Sequence, residues 1–290
     1  MTLAERPEVI FVGGTPFSGS ELVADLLREH PEVGTIPVPA RFHSDPRGIP
    51  ALLGGRIGLE DFLAELRTLE VTALVPVEKL NAAVASFRDS YHADPLESSR
   101  DLFWTLTEAT AKPGAAGTLV EASPGNIFEA HTLARLVPQA RFAHVIRDGR
   151  DVATAAAEAR ATSPRLAAAL EWWADRLRDA ERGVRGEEDG APYAIPDARL
   201  ITVVLDDLAS ADGGAAYQGL LDGLHLEDPA RSSSQPPLDA EEIGRRRWRK
   251  YARGVGAWLF SRRYARALRE LAEEGNHAAG PLQASYERLG

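Results

Sequence analysis

A glycine-containing turn that could bind a phosphate follows the first apolar run of the chain. The run is VIFV, and the segment GTPFSGS at residues 14–20 separates it from a helical pattern. Backbone N–H groups of such a turn and of the helix start favour an anion, because glycine permits close approach and the helix dipole is positive there. Gly14 and Gly19 have the G-x-x-x-x-G spacing of nucleotide triphosphatases, but Ser20 and Glu21 replace the Lys and Ser/Thr of that motif. We therefore expect an anion site that is not an ATPase or GTPase site, with a turn that binds nothing as the alternative. The candidate binding residues are Gly14, Thr15, Pro16, Phe17, Ser18, Gly19, Ser20 and Glu21.

Arg147 is a second candidate anion-binding residue, in the segment VIRDGRD that follows another apolar run. If that run is a strand and a helix follows, Arg147 lies at the carboxyl end of the strand, where its guanidinium fork suits a phosphate. In the alternative interpretation, Asp148 and Asp151 cap the helix and pair with arginines. Two anion-competent strand ends in one sheet favour a shared ligand site.

The densest basic run of the chain is RRRWRK at residues 245–250. Its candidate binding residues are Arg245, Arg247 and Trp248. A solvated helix face is the usual meaning of such a run, and a phosphate clamp is the alternative.

Strands that alternate with helices must position these segments. Apolar runs predict strands at 9–12, 118–120, 141–146 and 199–205, and helical spacing predicts helices at 21–30, 59–69, 100–111, 127–136, from 149, 164–182 and 213–224. Residues 33–58 are predicted to be a mostly irregular connection, since they are rich in Pro and Gly. The pattern predicts an α/β fold with a mostly parallel central sheet flanked by helices, and a ligand site beyond the carboxyl ends of its strands.

The C-terminal part of the chain differs in composition from the rest. A polar, Pro- and Ser-rich segment predicts a mobile loop at 228–240, and helices predicted at 241–251 and 258–274 form a basic cap. Residues 1–290 are expected to form a single domain.

Composition and charge limit the partners and the chemistry. The chain has 290 residues and a formal net charge of −10, so it has no global field that attracts nucleic acid or anionic lipid. We expect no nucleic-acid or membrane partner, and any anion site must be local. The chain has no cysteine, which excludes disulfides, thiolate metal sites and a cysteine nucleophile. Without a leader or a long apolar run, the protein is expected to be cytoplasmic.

Together, the three basic or glycine-containing segments resemble the sulfotransferases that use 3′-phosphoadenosine-5′-phosphosulfate (PAPS). VIFVGGTPFSGSELVADLLREHPEV looks like the family's first strand, 5′-phosphosulfate loop and helix. VEASPGNIFEAHTLARLVPQARFAHVIRDGRDV looks like its 3′-phosphate strand and helix with the preceding segment. EWWADRL, RLITVVLDDL and RRRWRK continue the likeness in order, and among the members of the family the chain most resembles bacterial small-molecule sulfotransferases.

The resemblance implies a P-loop-like sulfotransferase fold with a five-stranded parallel sheet. It places Ser18, Gly19 and Ser20 around the 5′-phosphosulfate and Arg147 on the 3′-phosphate. It also implies in-line transfer of a sulfuryl group from PAPS to a hydroxyl or amine of a small-molecule acceptor, with 3′,5′-ADP as the product and no metal. The resemblance leaves the acceptor and the oligomeric state open.

Three positions depart from the family pattern. Phe17 stands where the family usually has an Arg or Lys that contacts the phosphosulfate, Ala155 where many members have Ser, and Ala122 where some have Lys. Loss of one such contact typically costs about 10²–10³ in rate, by analogy with oxyanion-hole deletions. A binding protein that keeps the 3′,5′-ADP pocket without catalysis is therefore the alternative. A nucleotide or sugar kinase is disfavoured because no Lys follows Gly19.

The region after the first helix supplies the candidate catalytic residues. Relatives often use Glu or His there as the base, and His43 in ARFHSD is the first choice. An exposed loop histidine with no catalytic role is the alternative. Arg41 would replace the missing cation at Phe17 if this loop folds over the phosphate site. Glu121 is a further polar candidate near a strand end.

Overall fold

Parallel strands of a single sheet form the centre of the fold. The computed structural model describes residues 6–112, 117–186, 194–227 and 237–289. Its strands are β1 (Val9–Gly14), β2 (Val33–Thr35), β3 (Thr118–Glu121), β4 (Arg141–Ile146) and β5 (Leu200–Val204). Their order is β2-β3-β1-β4-β5, and every neighbouring pair is parallel. The predicted α/β class with a parallel sheet is confirmed, and all five carboxyl ends lie at one edge.

Helices cover both faces of this sheet. The helices within the described residues are α1 (Ser20–Arg28), α2 (Ile49–Leu53), α3 (Leu59–Leu66), α4 (Glu70–Ala73), α5 (Val77–Ser90), α6 (Pro95–Thr110), α7 (Ala130–Leu136), α8 (Gly149–Glu158), α9 (Leu166–Arg185), α10 (Leu205–Leu208), α11 (Gly213–Gly223), α12 (Gly254–Glu273) and α13 (Ala279–Leu289). Short 3₁₀ segments lie at Pro124–Ile127, Asp197–Arg199 and Arg247–Lys250. None of the described helices is long and apolar enough to cross a membrane.

Strand β1 lies between two hydrophobic cores, because alternate side chains of a strand point to opposite faces. Phe11 packs in a core with side chains from α3, α5, α6 and α7. Val12 packs in a second core with side chains from α1 and α11. A third core joins the end of β4 to α8, α9, α12 and α13, and contains Trp173 and Trp248. Burial on both faces explains why β1 is a continuous apolar run.

Strand β2 and helices α5 and α13 were not predicted from the sequence. β2 has only three residues, Val33–Thr35, and pairs with one strand at the sheet edge. So short a strand shows no alternation that could be recognised. The rest of the Pro- and Gly-rich connection is irregular except for α2.

The helix predicted at 241–251 is wrong. Those residues form turns followed by the 3₁₀ segment, and Arg246 has a left-handed backbone with φ of 61°. The backbone N–H groups of Arg246 and Trp248 donate to the carboxylate of Asp151 on α8, at 2.7 and 3.1 Å. Tertiary hydrogen bonds therefore replace those a helix would make. Of the predicted mobile loop at 228–240, residues 228–236 lie outside the described residues.

Candidate functional site

The turn after β1 folds back over the end of the strand. The backbone N–H of Ser18 donates to the carbonyl oxygen of Thr15 at 3.0 Å. A Cβ on Gly14 would clash with the Ser18 hydroxyl and with the Val145 carbonyl oxygen of β4, so only glycine permits this approach. Thr15 and Ser18 are buried, and their hydroxyl oxygens have no hydrogen-bond partner among the described residues. Buried hydroxyls are normally paired, so their pairing is left to a ligand or water.

Helix α1 begins directly after this turn without a side-chain cap. Its N-cap is Gly19, whose φ of 84° is left-handed, and a Cβ there would also clash with Leu205. The N–H groups of the first turn thus have no side-chain acceptor, and the helix dipole is positive at this end. Ser20 is buried there, whereas Glu21 is exposed and Pro16 is partly buried. The arrangement suits an anion.

Arg147 bridges the turn and the C-terminal segment. Its side chain is 8% exposed, and Nη1 donates to the Phe17 carbonyl oxygen at 3.5 Å. Nη2 donates to the carbonyl oxygen of Ile243, and Nε has no partner among the described residues. The Arg147 guanidinium therefore lies between the ends of β1 and β4, and its Nε–H remains free to donate to a ligand.

The aspartates after Arg147 have structural partners. The Asp148 carboxylate caps α8 by accepting from the Arg150 backbone N–H at 2.8 Å, and it pairs with the Arg150 guanidinium at 2.5 Å. The structural alternative is thus confirmed for Asp148, while Asp151 instead holds the C-terminal segment. Burial and the neighbouring charge of Asp148 raise the pKa of Asp151 to about 6. Burial raises the pKa of Asp206, which accepts from the Asp148 backbone N–H at 3.0 Å.

The basic segment is folded against this edge and is not a solvated helix face. Trp248 is buried, with its ring 4.5 Å from the Arg150 guanidinium carbon, and its Nε1 has no described partner. Arg247 pairs with Glu158 at 2.5 Å. Arg245 lines a cavity of about 20 Å³ beside Asp206. Of the three predicted binding residues in this segment, Arg245 and Trp248 thus lie against this edge, whereas Arg247 is paired with Glu158.

His43 is fully buried and belongs to a polar network at the end of β3. Its Nε2 lies 2.9 Å from a Glu121 carboxylate oxygen and 2.9 Å from the Asn126 amide oxygen, while Nδ1 has no described partner. The expectation of an exposed loop histidine is therefore wrong, because Glu121 holds this loop through the Ala40 N–H at 2.9 Å as well. Burial raises the pKa of Glu121, but the charge of His43 and hydrogen bonds from His43, Ala40 and Asn126 together lower it to about 2.

Arg41 lies beside His43 but points into solvent. Its guanidinium, 57% exposed, pairs with Asp45 at 3.0 Å, and its backbone has a left-handed φ of 63°. The backbone N–H donates to the Ser123 hydroxyl at 3.0 Å. Within the described residues, no hydrogen bond joins Arg41 to the 14–20 turn. Backbone hydrogen bonds thus hold this loop at the end of β3, while the Arg41 guanidinium points away from β3 into solvent.

The remaining two departures from the family pattern are Ala122 and Ala155. Ala122 is buried in the core beside α1, and Ala155 is partly buried on α8. The neighbouring Thr154 hydroxyl donates to the Arg150 carbonyl oxygen at 2.7 Å, so it is not turned toward the strand ends. The hydroxyls next to the two alanines are thus both in use, since that of Ser123 donates to Glu121 at 2.8 Å and accepts from the Arg41 backbone N–H.

Sequence reasoning missed two features of this edge. Asp206 lies two positions after the end of β5, much as Arg147 follows β4, so the same strand-end signal could have identified it. Arg150 is enclosed by Trp248, Tyr264 and Tyr286, which are distant in sequence. No local pattern brings those three rings together. Among the described residues, no three His, Cys, Asp or Glu side chains are grouped so as to hold a metal ion.

Comparison with known proteins identifies the family. Residues 7–229 match the family model described as "Sulfotransferase family". The protein therefore belongs to the sulfotransferase family, and the resemblance stated from the motifs is confirmed.

Several solved bacterial structures are similar at low identity. The sulfotransferase domain of the Synechococcus PCC 7002 olefin synthase is 18% identical, with a TM-score of 0.49 and coverage of 90% of this chain and 95% of that chain. The sulfotransferase STF9 from Mycobacterium avium is 17% identical, with a TM-score of 0.40 and coverage of 85% and 68%. STF1 from Mycobacterium tuberculosis H37Rv is 14% identical, with a TM-score of 0.44 and coverage of 90% and 77%. Family membership rests on the sequence match over residues 7–229.

Proposed function

We propose that the protein transfers a sulfuryl group from PAPS to a hydroxyl or amine of a small-molecule acceptor. The observation that carries this proposal is a set of buried polar atoms, at two neighbouring strand ends, that have no hydrogen-bond partner in the described part of the chain. These atoms are Thr15 Oγ1, Ser18 Oγ and Arg147 Nε. Unpaired buried donors and hydroxyls cost free energy, and a phosphate-bearing ligand would satisfy them.

The residues present fit such a donor. PAPS, when bound, supplies an activated sulfuryl group. The 14–20 turn and the uncapped start of α1 would hold its 5′-phosphosulfate through backbone N–H groups and the hydroxyls of Thr15 and Ser18. Arg147 would hold the 3′-phosphate, and Arg245 and Trp248 would close the site from the C-terminal side. Arg247 would join them on leaving its pair with Glu158. The proposal includes no metal.

The negative charge that develops on the leaving phosphate must be stabilised, and Phe17 has no cationic group that could do this. The N–H groups of the turn are preorganised donors, which act without reorganisation as negative charge develops on the leaving phosphate. The Arg147 guanidinium, bonded to the Phe17 carbonyl oxygen, lies next to this turn. Arg41 is the second candidate cation, because its loop is fixed to β3, the neighbour of β1. This role requires its exposed guanidinium to turn from Asp45 toward the donor.

The proton of the acceptor needs a base, and His43 is our candidate. The base would be the neutral ring: its Nε2–H would donate to Glu121 and Asn126, so Nδ1 is the atom that would accept the proton. A negative Glu121 stabilises the imidazolium that results. Since the ring is enclosed by Phe11, Phe42 and Phe103, this role requires the loop to open toward the acceptor.

Transfer of ³⁵S from labelled PAPS to a panel of phenols, alcohols and amines tests the proposal. We expect labelled acceptor and 3′,5′-ADP, with a rate that falls about 10- to 100-fold in Thr15→Val, the cost of a hydrogen bond to a charged group. Thr107→Val is the matched control, because Thr107 is also a buried threonine whose hydroxyl has no described partner, but it lies on α6. Binding of 3′,5′-ADP without transfer to any acceptor would contradict catalysis and support the binding-protein alternative.

A further inference from the structure

The basic C-terminal cap carries charge that the proposed donor site does not use. Residues 243–269 contain ten Arg or Lys residues and no Asp or Glu. Since the whole chain has a formal net charge of −10, the rest of it must carry −20. In the described part of the chain, Arg249, Lys250, Arg253 and Arg262 form no ion pair. Positive charge is thus concentrated on one exposed segment of an acidic protein.

The same segment exposes most of the large apolar side chains found at the surface. Six such side chains are exposed among the described residues, and four of them lie between positions 251 and 259. They are Tyr251, Val255, Trp258 and Leu259, with Val255 74% and Trp258 55% exposed. We call these four residues, with Arg249, Lys250, Arg253 and Arg262, the α12 patch.

Helix α12 has two apolar faces: one packs against the third core, and the other is exposed. Phe260, Tyr264 and Leu268 are buried against the third core. At about 100° per residue, Val255 and Trp258 lie on the opposite face of the helix. A surface helix of a globular protein normally has only one apolar stripe. The second stripe is therefore available to something outside the described chain.

The composition of the α12 patch fits an anionic lipid surface. Trp and Tyr favour the boundary between hydrocarbon and water, and basic side chains around an apolar stripe add attraction to anionic headgroups. The Arg262 guanidinium lies 4.7 Å from the Trp258 ring, so charge and apolar surface are presented together. The start of α12 has no acidic residue in its first turn and adds its positive dipole end.

A protein partner fits less well. A stable protein interface uses about 20–30 residues a side, far more than this patch offers. Such an interface also fixes the relative position of the two proteins through complementary charges of both signs, whereas residues 243–269 carry only positive charges. A uniform negative surface matches that charge better than a patterned one.

We infer that the α12 patch docks the protein peripherally on an anionic membrane surface. The expectation of no membrane partner rested on the net charge of the whole chain, whereas the folded chain gathers its cations on one surface. The inference is independent of the proposed transfer reaction.

Co-sedimentation of the full chain with lipid vesicles tests this inference. We expect binding when about a third of the phosphatidylcholine is replaced by phosphatidylserine, and little binding to phosphatidylcholine alone. The affinity should fall about fivefold per cation removed, hence about 25-fold in the double variant Lys250→Gln/Arg253→Gln, and it should weaken at high salt. Equal binding to neutral vesicles, or none to either, would overturn the inference.

A second pair of variants tests whether the apolar side chains of the α12 patch contribute to vesicle binding. Trp258→Ala/Leu259→Ala should lose vesicle binding, while Leu74→Ala/Val77→Ala, which removes the other two exposed large apolar side chains, should keep it. All four positions are exposed, so each variant should unfold in urea as the natural protein does. An equal loss of vesicle binding in both double variants would contradict the assignment of binding to the α12 patch.

Fluorescence shows whether Trp258 enters the lipid. Trp104, Trp172, Trp173 and Trp248 are buried or partly buried, so brominated lipid should quench Trp258 selectively. This quenching should disappear in Trp258→Phe, which should still bind. Full competition by soluble polyglutamate together with no quenching would assign the patch to an acidic protein and overturn the membrane inference.

Discussion

Phe17 is the residue at which this chain differs most from what its family membership implies. An aromatic ring in a left-handed backbone conformation, with φ of 69°, packs toward the third core where a cation is expected. The sequence alone identifies this loss, because it follows from residue type. It does not identify the consequence, because the Arg147 guanidinium reaches the Phe17 carbonyl oxygen only through the fold. A cation at this turn thus comes from the end of the neighbouring strand β4.

The role of Arg41 as a supplementary cation gives a first prediction. We expect Arg41→Ala to lower the rate of sulfuryl transfer by about 10²–10³, since a cation that stabilises developing charge is worth this much. Arg47→Ala is the control, because Arg47 is on the same loop, equally exposed and paired with Glu65 at 3.1 Å. An unchanged rate for Arg41→Ala in steady-state kinetics would remove Arg41 from the mechanism.

The buried Glu121 gives a second prediction, about stability and pH. Its pKa is about 2 in the folded chain against 4.5 ordinarily, so the unfolded state binds the proton more tightly. The resulting stabilisation, about 3 kcal/mol, is complete above the unfolded pKa and is lost as the pH falls from about 4.5 toward 2.

Urea unfolding at several pH values measures this effect. The natural protein should lose stability over that acidic range, and Glu121→Gln should be less stable at pH 7 and lose less on acidification. Glu60→Gln is the control, since Glu60 also forms an ion pair, with Arg88, but is exposed. If both variants follow the natural protein over the whole pH range, Glu121 does not stabilise this loop.

At the scale of elements, the sequence predicted those with long periodic patterns and missed those set by tertiary contacts. The bounds of β1 and β4 and the starts of the helices that follow them lie within two residues of the prediction, because buried parallel strands are continuous apolar runs. The helix at 241–251 is wrong because a distant carboxylate, that of Asp151, takes two of its backbone N–H groups. The burial of His43 was missed for the same reason, since its partner Glu121 lies 78 positions away.

The turn between β1 and α1 gives a third prediction. Gly19→Ala should destabilise the protein by about 1–2 kcal/mol through its left-handed backbone, and further through a clash with Leu205. It should also weaken 3′,5′-ADP binding, because α1 would shift at its N-terminus. Gly55→Ala is the control, since Gly55 has φ of 69° with open space around it and should show the backbone cost alone. Equal losses in thermal unfolding would mean that the Leu205 contact has no effect.

At the scale of the whole molecule, one buried arginine joins the sheet to the C-terminal helices. The Arg150 guanidinium pairs with Asp148 and lies 4.5–4.9 Å from Trp248, Tyr264 and Tyr286. These rings come from the 3₁₀ segment, α12 and α13, so all three are fixed relative to β4. Sequence reasoning predicted a basic cap here, but the residue that attaches it could not be found without the fold.

Removal of this arginine gives a fourth prediction. Arg150→Met should cost about 3–5 kcal/mol, because it leaves the Asp148 carboxylate without its buried partner. Arg178→Met, which breaks a more exposed pair with Glu274 between α9 and the end of α12, should cost less than about 1 kcal/mol. Urea denaturation compares the two, and similar losses would show that the cap is not attached through Arg150.

The central claim is a nucleotide site between the ends of β1 and β4, and calorimetric titration with 3′,5′-ADP tests it most directly. We expect micromolar binding that is the same with and without Mg²⁺ and that is strongly weakened in Arg147→Ala. No detectable binding to the natural protein, or equal binding to the variant, would contradict the claim and leave the sulfotransferase fold without its donor site.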